Sequence, residues 1–189
     1  MATPTIRQTR PISLALLLIA ACAVTACNRQ EEADAHYKLA ADYAHHGILN
    51  ETVRNLERAA ALRPEDVEVR YNLGVGYLQQ GKLDLAEEQF RRVLLLAPEN
   101  AMAHNNLGVI QLTRKNCEAA IESFTTAAKH DPALVQPHQN LGLCYQRLGD
   151  LKQSEAEFRR ALALDPQNAA TQKALESLRV DTDLAPQKQ

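Results

Sequence analysis

The sequence predicts an all-α chain, an α-solenoid of four helix-turn-helix repeats closed by a C-terminal capping helix. Three observations predict it. Pro64, Pro98, Pro132 and Pro166 stand at a constant interval of 34 residues. Around each of them apolar and small residues recur at steps of three and four, the spacing of one helical face. The composition of the 189 residues is 46% hydrophobic but only 4% aromatic with no Trp, and it contains no alternating β-branched runs. That balance suits helices packed through small side chains rather than a sheet around an aromatic core.

Residues 1–26 read as an export leader. Arg7 and Arg10 precede an apolar stretch beginning at Ile12, and small residues then lead to Cys27 and an abrupt polar turn at Asn28. The apolar run of about 15 residues falls short of the roughly 20 that span a bilayer. Val24-Thr25-Ala26-Cys27 resembles the lipobox of bacterial lipoproteins. That resemblance implies cleavage before Cys27, lipidation of its sulfur, and lasting attachment through more than one acyl chain. Ile19-Ala20-Ala21-Cys22 also fits the pattern, but cutting there shortens the apolar region and leaves AVTA on the mature chain. An uncleaved anchor and a plain signal cut after Ala26 are the other readings. Asn28 after the cysteine is, by the same resemblance, compatible with the outer membrane facing the periplasm. Residues 27–32 would then be a lipidated linker.

The four units are 33–66, 67–100, 101–134 and 135–168. The seventh residue is leucine (Leu39, Leu73, Leu107, Leu141) and the eighth is tiny (Ala40, Gly74, Gly108, Gly142). The twentieth is small (Thr52, Ala86, Ala120, Ser154), the twenty-fourth bulky (Leu56, Phe90, Phe124, Phe158) and the twenty-seventh compact (Ala59, Val93, Ala127, Ala161). Tiny residues at positions eight and twenty mark where two antiparallel helices touch, with the bulky residue filling the space beside them. Gly47, Gly81 and Gly149 supply the turn between the helices, and each proline stops the second helix. Asp66, Asn100 and Asn168 are suited to cap the following helix, whereas Leu134 cannot. In the third unit Lys115 replaces the turn glycine, so that either it or Asn116 takes the left-handed position; Gln111 replaces the tyrosine of Tyr43, Tyr77 and Tyr145. Residues 169–180, with Ala170, Ala174, Leu175 and Leu178 on one stripe, form the capping helix. Residues 181–189 have nothing to bury and are expected to be disordered.

The pattern, whose best copy is YNLGVGYLQQGKLDLAEEQFRRVLLLAPEN from Tyr71 to Asn100, resembles the tetratricopeptide repeat family over 136 of the 189 residues. The resemblance implies that the first helix of each unit lines a concave groove that holds a segment of another protein. Family members are adaptors, so it implies neither a cofactor nor a small-molecule substrate.

Several function classes are disfavoured. The formal net charge is −2, and losing Arg7 and Arg10 with the leader leaves 19 basic against 23 acidic residues, about −4. No basic run with interleaved aromatics suits nucleic acid. His36, His104 and His138 share the fourth position of separate units, and His45-His46 diverge as neighbours on a helix, so no metal site is expected. No phosphate loop, HExxH or nucleophile elbow is present, so the chain is not expected to be an enzyme. Cys117 and Cys144 lie at levels about 6 Å apart along neighbouring helices and could pair, or remain two buried thiols.

The groove positions are the second, fifth, sixth, ninth and thirteenth of each unit. From them Tyr37, Tyr71, Asn72, Asn105, Asn106, Gln139, Asn140 and Arg147 are the candidate partner-binding residues. Asn72, Asn106 and Asn140 form a ladder of amides that could serve a guest backbone or the neighbouring helices. A carboxylate clamp of Lys and Arg is missing at Met102 and Gln136. With the anchor, this points to a membrane-tethered scaffold for an envelope protein segment. Pilotin-like lipoproteins serving type IV pilus secretins are similar. An apocytochrome-presenting module of cytochrome c maturation and a regulatory subunit of an envelope enzyme are the alternatives.

Overall fold

The computed structural model describes the backbone of residues 14–184 and the side chains of residues 28–178. Residues 1–13 of the expected leader, the side chains of Cys22 and Cys27, and residues 185–189 of the expected tail lie outside the described residues. The elements are α1 (Leu14–His45), α2 (Leu49–Leu62), α3 (Val67–Gln79), α4 (Leu83–Leu96), α5 (Ala101–Thr113), α6 (Cys117–His130), α7 (Val135–Arg147), α8 (Leu151–Leu164) and α9 (Ala169–Leu184). No strand occurs among the described residues. Residues 27–32, expected as a linker, continue α1, since no Gly or Pro interrupts them. The capping helix likewise runs past residue 180 to Leu184, two residues before Pro186.

Each unit is a helical pair, and the same local chemistry recurs at its turns. Gly47, Gly81 and Gly149 adopt φ of 70°, 73° and 80°. Beyond each, the sixteenth residue donates its N–H to the eleventh residue's carbonyl: Ile48 to Tyr43, Lys82 to Tyr77, Asn116 to Gln111 and Asp150 to Tyr145, all between 2.9 and 3.0 Å. These bonds satisfy carbonyls that a helix end leaves over. In the third unit Lys115 takes the left-handed conformation, with φ of 64°, and Asn116 caps α6 by accepting from Ala119 N–H at 3.2 Å. Asp66, Asn100 and Asn168 accept from Val69, Ala103 and Thr171 at 3.0, 2.9 and 3.1 Å, and Leu134 makes no cap bond. The residues before the four prolines (Arg63, Ala97, Asp131 and Asp165) leave the helix with φ between −125° and −138° and positive ψ, as the proline ring requires of its predecessor.

Within each pair the phenyl ring at position twenty-four lies on the glycine at position eight. A Cβ built on Gly74, Gly108 or Gly142 would stand 2.8, 2.5 and 2.5 Å from the Cε1 of Phe90, Phe124 and Phe158 respectively. Position twenty completes the contact, and in the fourth pair Ser154 donates its hydroxyl to the Gly142 carbonyl at 2.8 Å. All three phenylalanines and Ala59, Val93, Ala127 and Ala161 are buried. A polar tie between the paired helices recurs as well, from position four to position twenty-three: His36 with Asn55 at 2.9 Å, Arg70 with Gln89 at 2.8 Å, His138 with Glu157 at 2.7 Å. His36 and His138 are thus engaged inside their own repeats, whereas His104 bonds the Pro98 carbonyl of the preceding unit at 2.9 Å. Among the described residues no group of three or more metal-binding side chains converges, and no helix is long and apolar enough to cross a membrane.

Gly108→Ala gains helix propensity of about 1 kcal/mol but overpacks Phe124, and we expect a net loss of about 1–2 kcal/mol in urea denaturation. Adding Phe124→Leu, which shortens the obstructing side chain, should make the Gly108→Ala step less costly. Lys115→Gly relieves the left-handed strain and should raise stability by about 1 kcal/mol in the same assay.

Candidate functional site: the inner face of the first helices

The first helices of successive units touch one another, α3 with α5 and α5 with α7, whereas no two second helices approach as closely among the described residues. A stack bends toward its closer-spaced side, so α1, α3, α5 and α7 line the inner face. Along it Ala41, Val75, Val109 and Leu143 form an apolar stripe that is half-buried at Val75 and Val109 and exposed at Ala41 and Leu143.

The polar candidates flank this stripe, and the structure ties them to one another across unit boundaries. Tyr37 donates its hydroxyl to Glu68 Oε1 at 2.6 Å and accepts from Asn72 Nδ2 at 2.7 Å. Asn106 Nδ2 donates to the Tyr71 hydroxyl at 3.1 Å, and Asn140 Nδ2 to Asn105 Oδ1 at 3.3 Å. Gln139 donates to Asn168 Oδ1 at 2.9 Å and to Thr171 Oγ1, which joins the last unit to α9. Arg147 reaches the Leu112 carbonyl at 3.4 Å. All eight groove residues thus make contacts from one unit to the next or, for Gln139, to α9. Of the two uses open to the asparagine ladder, the chain shows the one toward neighbouring helices, at a spacing of 35 residues in each case. One amide hydrogen of each asparagine is committed in this way.

Arg63 bridges Asp34 and Asp66 at 3.0 and 3.2 Å, and Arg114 joins its unit to the previous one through Asp84 and Glu87, both at 2.5 Å. Burial, followed by the hydrogen bond and charge of Glu68, pushes the Tyr37 phenol up to about 12. Burial and Glu57, which accepts from the Tyr77 hydroxyl at 2.7 Å, push Tyr77 up as well.

A hollow of about 340 Å³ opens on this face between the first two units. Ala41, Ala44, Val75, Gly76 and Gln79 line it together with Tyr37 and Asn72. The sequence reading missed it. The signal was there in Ala44, where later units carry Leu78, Leu112 and Gln146, and in Gly76, where they carry Ile110 and Cys144. Gly76 also lets α3 approach Val53, whose Cγ2 would stand 2.8 Å from an added Cβ. A groove with an uncharged hollow at one end can hold apolar side chains of an extended or helical guest.

Models of the tetratricopeptide repeat match residues 37–94, 75–135 and 135–168. The chain belongs to the tetratricopeptide repeat family. No curated protein sequence matches it. Among solved structures, the tetratricopeptide stack is similar to MamA from Desulfovibrio magneticus RS-1, with 24% identity, a TM-score of 0.72 and coverage of 80% of this chain and 86% of that one. It is similar also to PilF of Pseudomonas aeruginosa, with 23% identity and a TM-score of 0.73 over 82% of this chain and 71% of PilF. The first repeat domain of Spaghetti (RPAP3), solved with the HSP90 peptide SRMEEVD, matches at 20% identity and a TM-score of 0.60 over 62% of this chain and 95% of that domain. At these identities the likeness is one of fold.

The raised phenols set a pH dependence. An ionisable group whose folded pKa exceeds its unfolded value contributes stability below the unfolded pKa and loses it as pH climbs to the folded one. Stability should therefore fall as pH rises from the ordinary tyrosine value of 10.0 toward about 12, and Tyr37→Phe should flatten part of that fall in urea titrations across the range.

Proposed function

We propose that this tetratricopeptide chain is a membrane-anchored, periplasmic-side scaffold that binds an envelope protein segment along the inner face of its first helices, and that it is not an enzyme. The observation that carries the reading is the apolar stripe ending in the uncharged hollow beside Tyr37 and Asn72. The peptide held by the RPAP3 repeat domain supports a protein segment as the guest. The uncharged lining and the missing carboxylate clamp favour an apolar internal segment over an acidic tail. Anchoring through Cys27 rests on the lipobox resemblance. The likeness to pilotin-type lipoproteins, with the fold shared by PilF, makes a type IV pilus secretin the envelope complex to test first.

The test has two arms. Radiolabelled palmitate should label the full chain and its Cys22→Ala variant and fail to label Cys27→Ala; label surviving in Cys27→Ala would remove the anchor from the proposal. A photo-crosslinker at Gln79 should capture the secretin, and Val75→Glu or Ala44→Trp, which charge or fill the hollow, should reduce capture about tenfold or more. Lys129→Glu, on an exposed part of α6, should leave capture intact. Equal capture by all four proteins would refute the groove as the binding face.

A further inference from the structure

Cys117 opens α6 in the third unit, and Cys144 is the tenth residue of α7 in the fourth. The two helices pack directly on each other across the unit boundary. Both thiols are free and buried, and both belong to one packed cluster with Ala120, Phe124 and Leu141. Their access to the outside differs. Cys117 lines a surface cavity of about 440 Å³ with Lys115, Glu118, Arg147 and Leu148, whereas Cys144 is fully buried and absent from its lining. Burial pushes the Cys144 thiol well above the usual thiol range, and the charge and hydrogen-bonding contact of the Cys117 side chain act in the same direction.

We propose that Cys117 and Cys144 are a redox pair that an external disulfide converts into an intramolecular disulfide stapling the third repeat to the fourth. The asymmetry of access orders the steps. The Cys117 thiolate attacks one sulfur of an external disulfide, written RSSR, through the surface cavity; a Cys117–S–S–R bond forms and RSH leaves carrying the first thiol proton. Cys144, adjoining on the buried side, then attacks the Cys117 sulfur as its thiolate. The protein disulfide forms, and a second RSH leaves with the second proton. RSSR is reduced by two electrons and the two protein thiols are oxidised by two. Excess thiol reverses the sequence. Apart from the packed core, the joint being stapled is held on the inner face by Asn140 to Asn105 and Arg147 to the Leu112 carbonyl. Oxidation therefore fixes the C-terminal half of the groove, and reduction leaves it on noncovalent ties.

Glutathione disulfide as RSSR, applied to the native full chain and followed by alkylation and non-reducing trypsin digestion, tests the proposal. Cys117 falls in the tryptic peptide 116–129 and Cys144 in the peptide 130–147. The expected result is one crosslinked species containing both peptides, loss of both free thiols, and recovery of both after dithiothreitol. Cys144→Ser should hold glutathione on Cys117 as a stable mixed disulfide. Cys117→Ser should leave Cys144 unmodified until denaturant is added. Cys144→Ala gives the same trapping result if the serine variant loses its helical circular dichroism. Unlinked peptides with both thiols still alkylated would overturn the pair. So would a crosslink to Cys22 or Cys27 instead, or modification of Cys144 in native Cys117→Ser as fast as that of Cys117 in Cys144→Ser.

Discussion

The stack depends on a phenyl ring seated on a glycine backbone. Phe90, Phe124 and Phe158 occupy the space a side chain would take on Gly74, Gly108 and Gly142, and this contact holds the two helices of each pair at one separation. Close-packed interiors transmit small displacements, so a fixed separation within pairs becomes a fixed offset between them. The regular spacing of 35 residues in the bonds from Asn72, Asn106 and Asn140 is the outward sign of that constancy. The first pair departs from it, with Ala40 and Leu56 in the corresponding places. Ala41 and Ala44 on its first helix are also small, and the hollow lies there, between the first and second units.

Most of the fold was legible in the sequence because it rests on local rules repeated several times. A cap needs one side chain within three residues, so Asp66, Asn100 and Asn168 could be read as caps and Leu134 as none. The turn at Lys115 could not be settled that way. Asparagine tolerates the left-handed region better than lysine, but Asn116 is also the only residue placed to cap α6, and the cap prevails. Element ends were less visible. Asn28 to Glu32 and Asp181 to Leu184 are polar enough to suggest a linker and a tail, yet contain nothing that breaks a helix, and both continue one.

The bonds along the inner face were not legible in the sequence. Positions within a unit identify Tyr37, Asn72 and their counterparts as neighbours on the inner face. Whether an amide there points to a guest or to the next helix depends on the offset between units, which one helical face does not contain. The offset brings position six of one unit against position five of the unit before, and the donors are taken up accordingly. The hollow escaped for a related reason: it arises from small residues in two different units, each unremarked within its own.

The bonds joining consecutive units and the surface offered to a guest draw on one set of atoms. Tyr37, Asn72, Tyr71 and Asn106 each tie one repeat to the next while facing the groove. An occupant that takes over those bonded hydroxyls or amide hydrogens loosens a seam, and a force that opens or tightens a seam changes how the trough receives its occupant. Curvature and occupancy are in this way linked variables, so that mechanical strain on the solenoid and affinity for its cargo have to vary together.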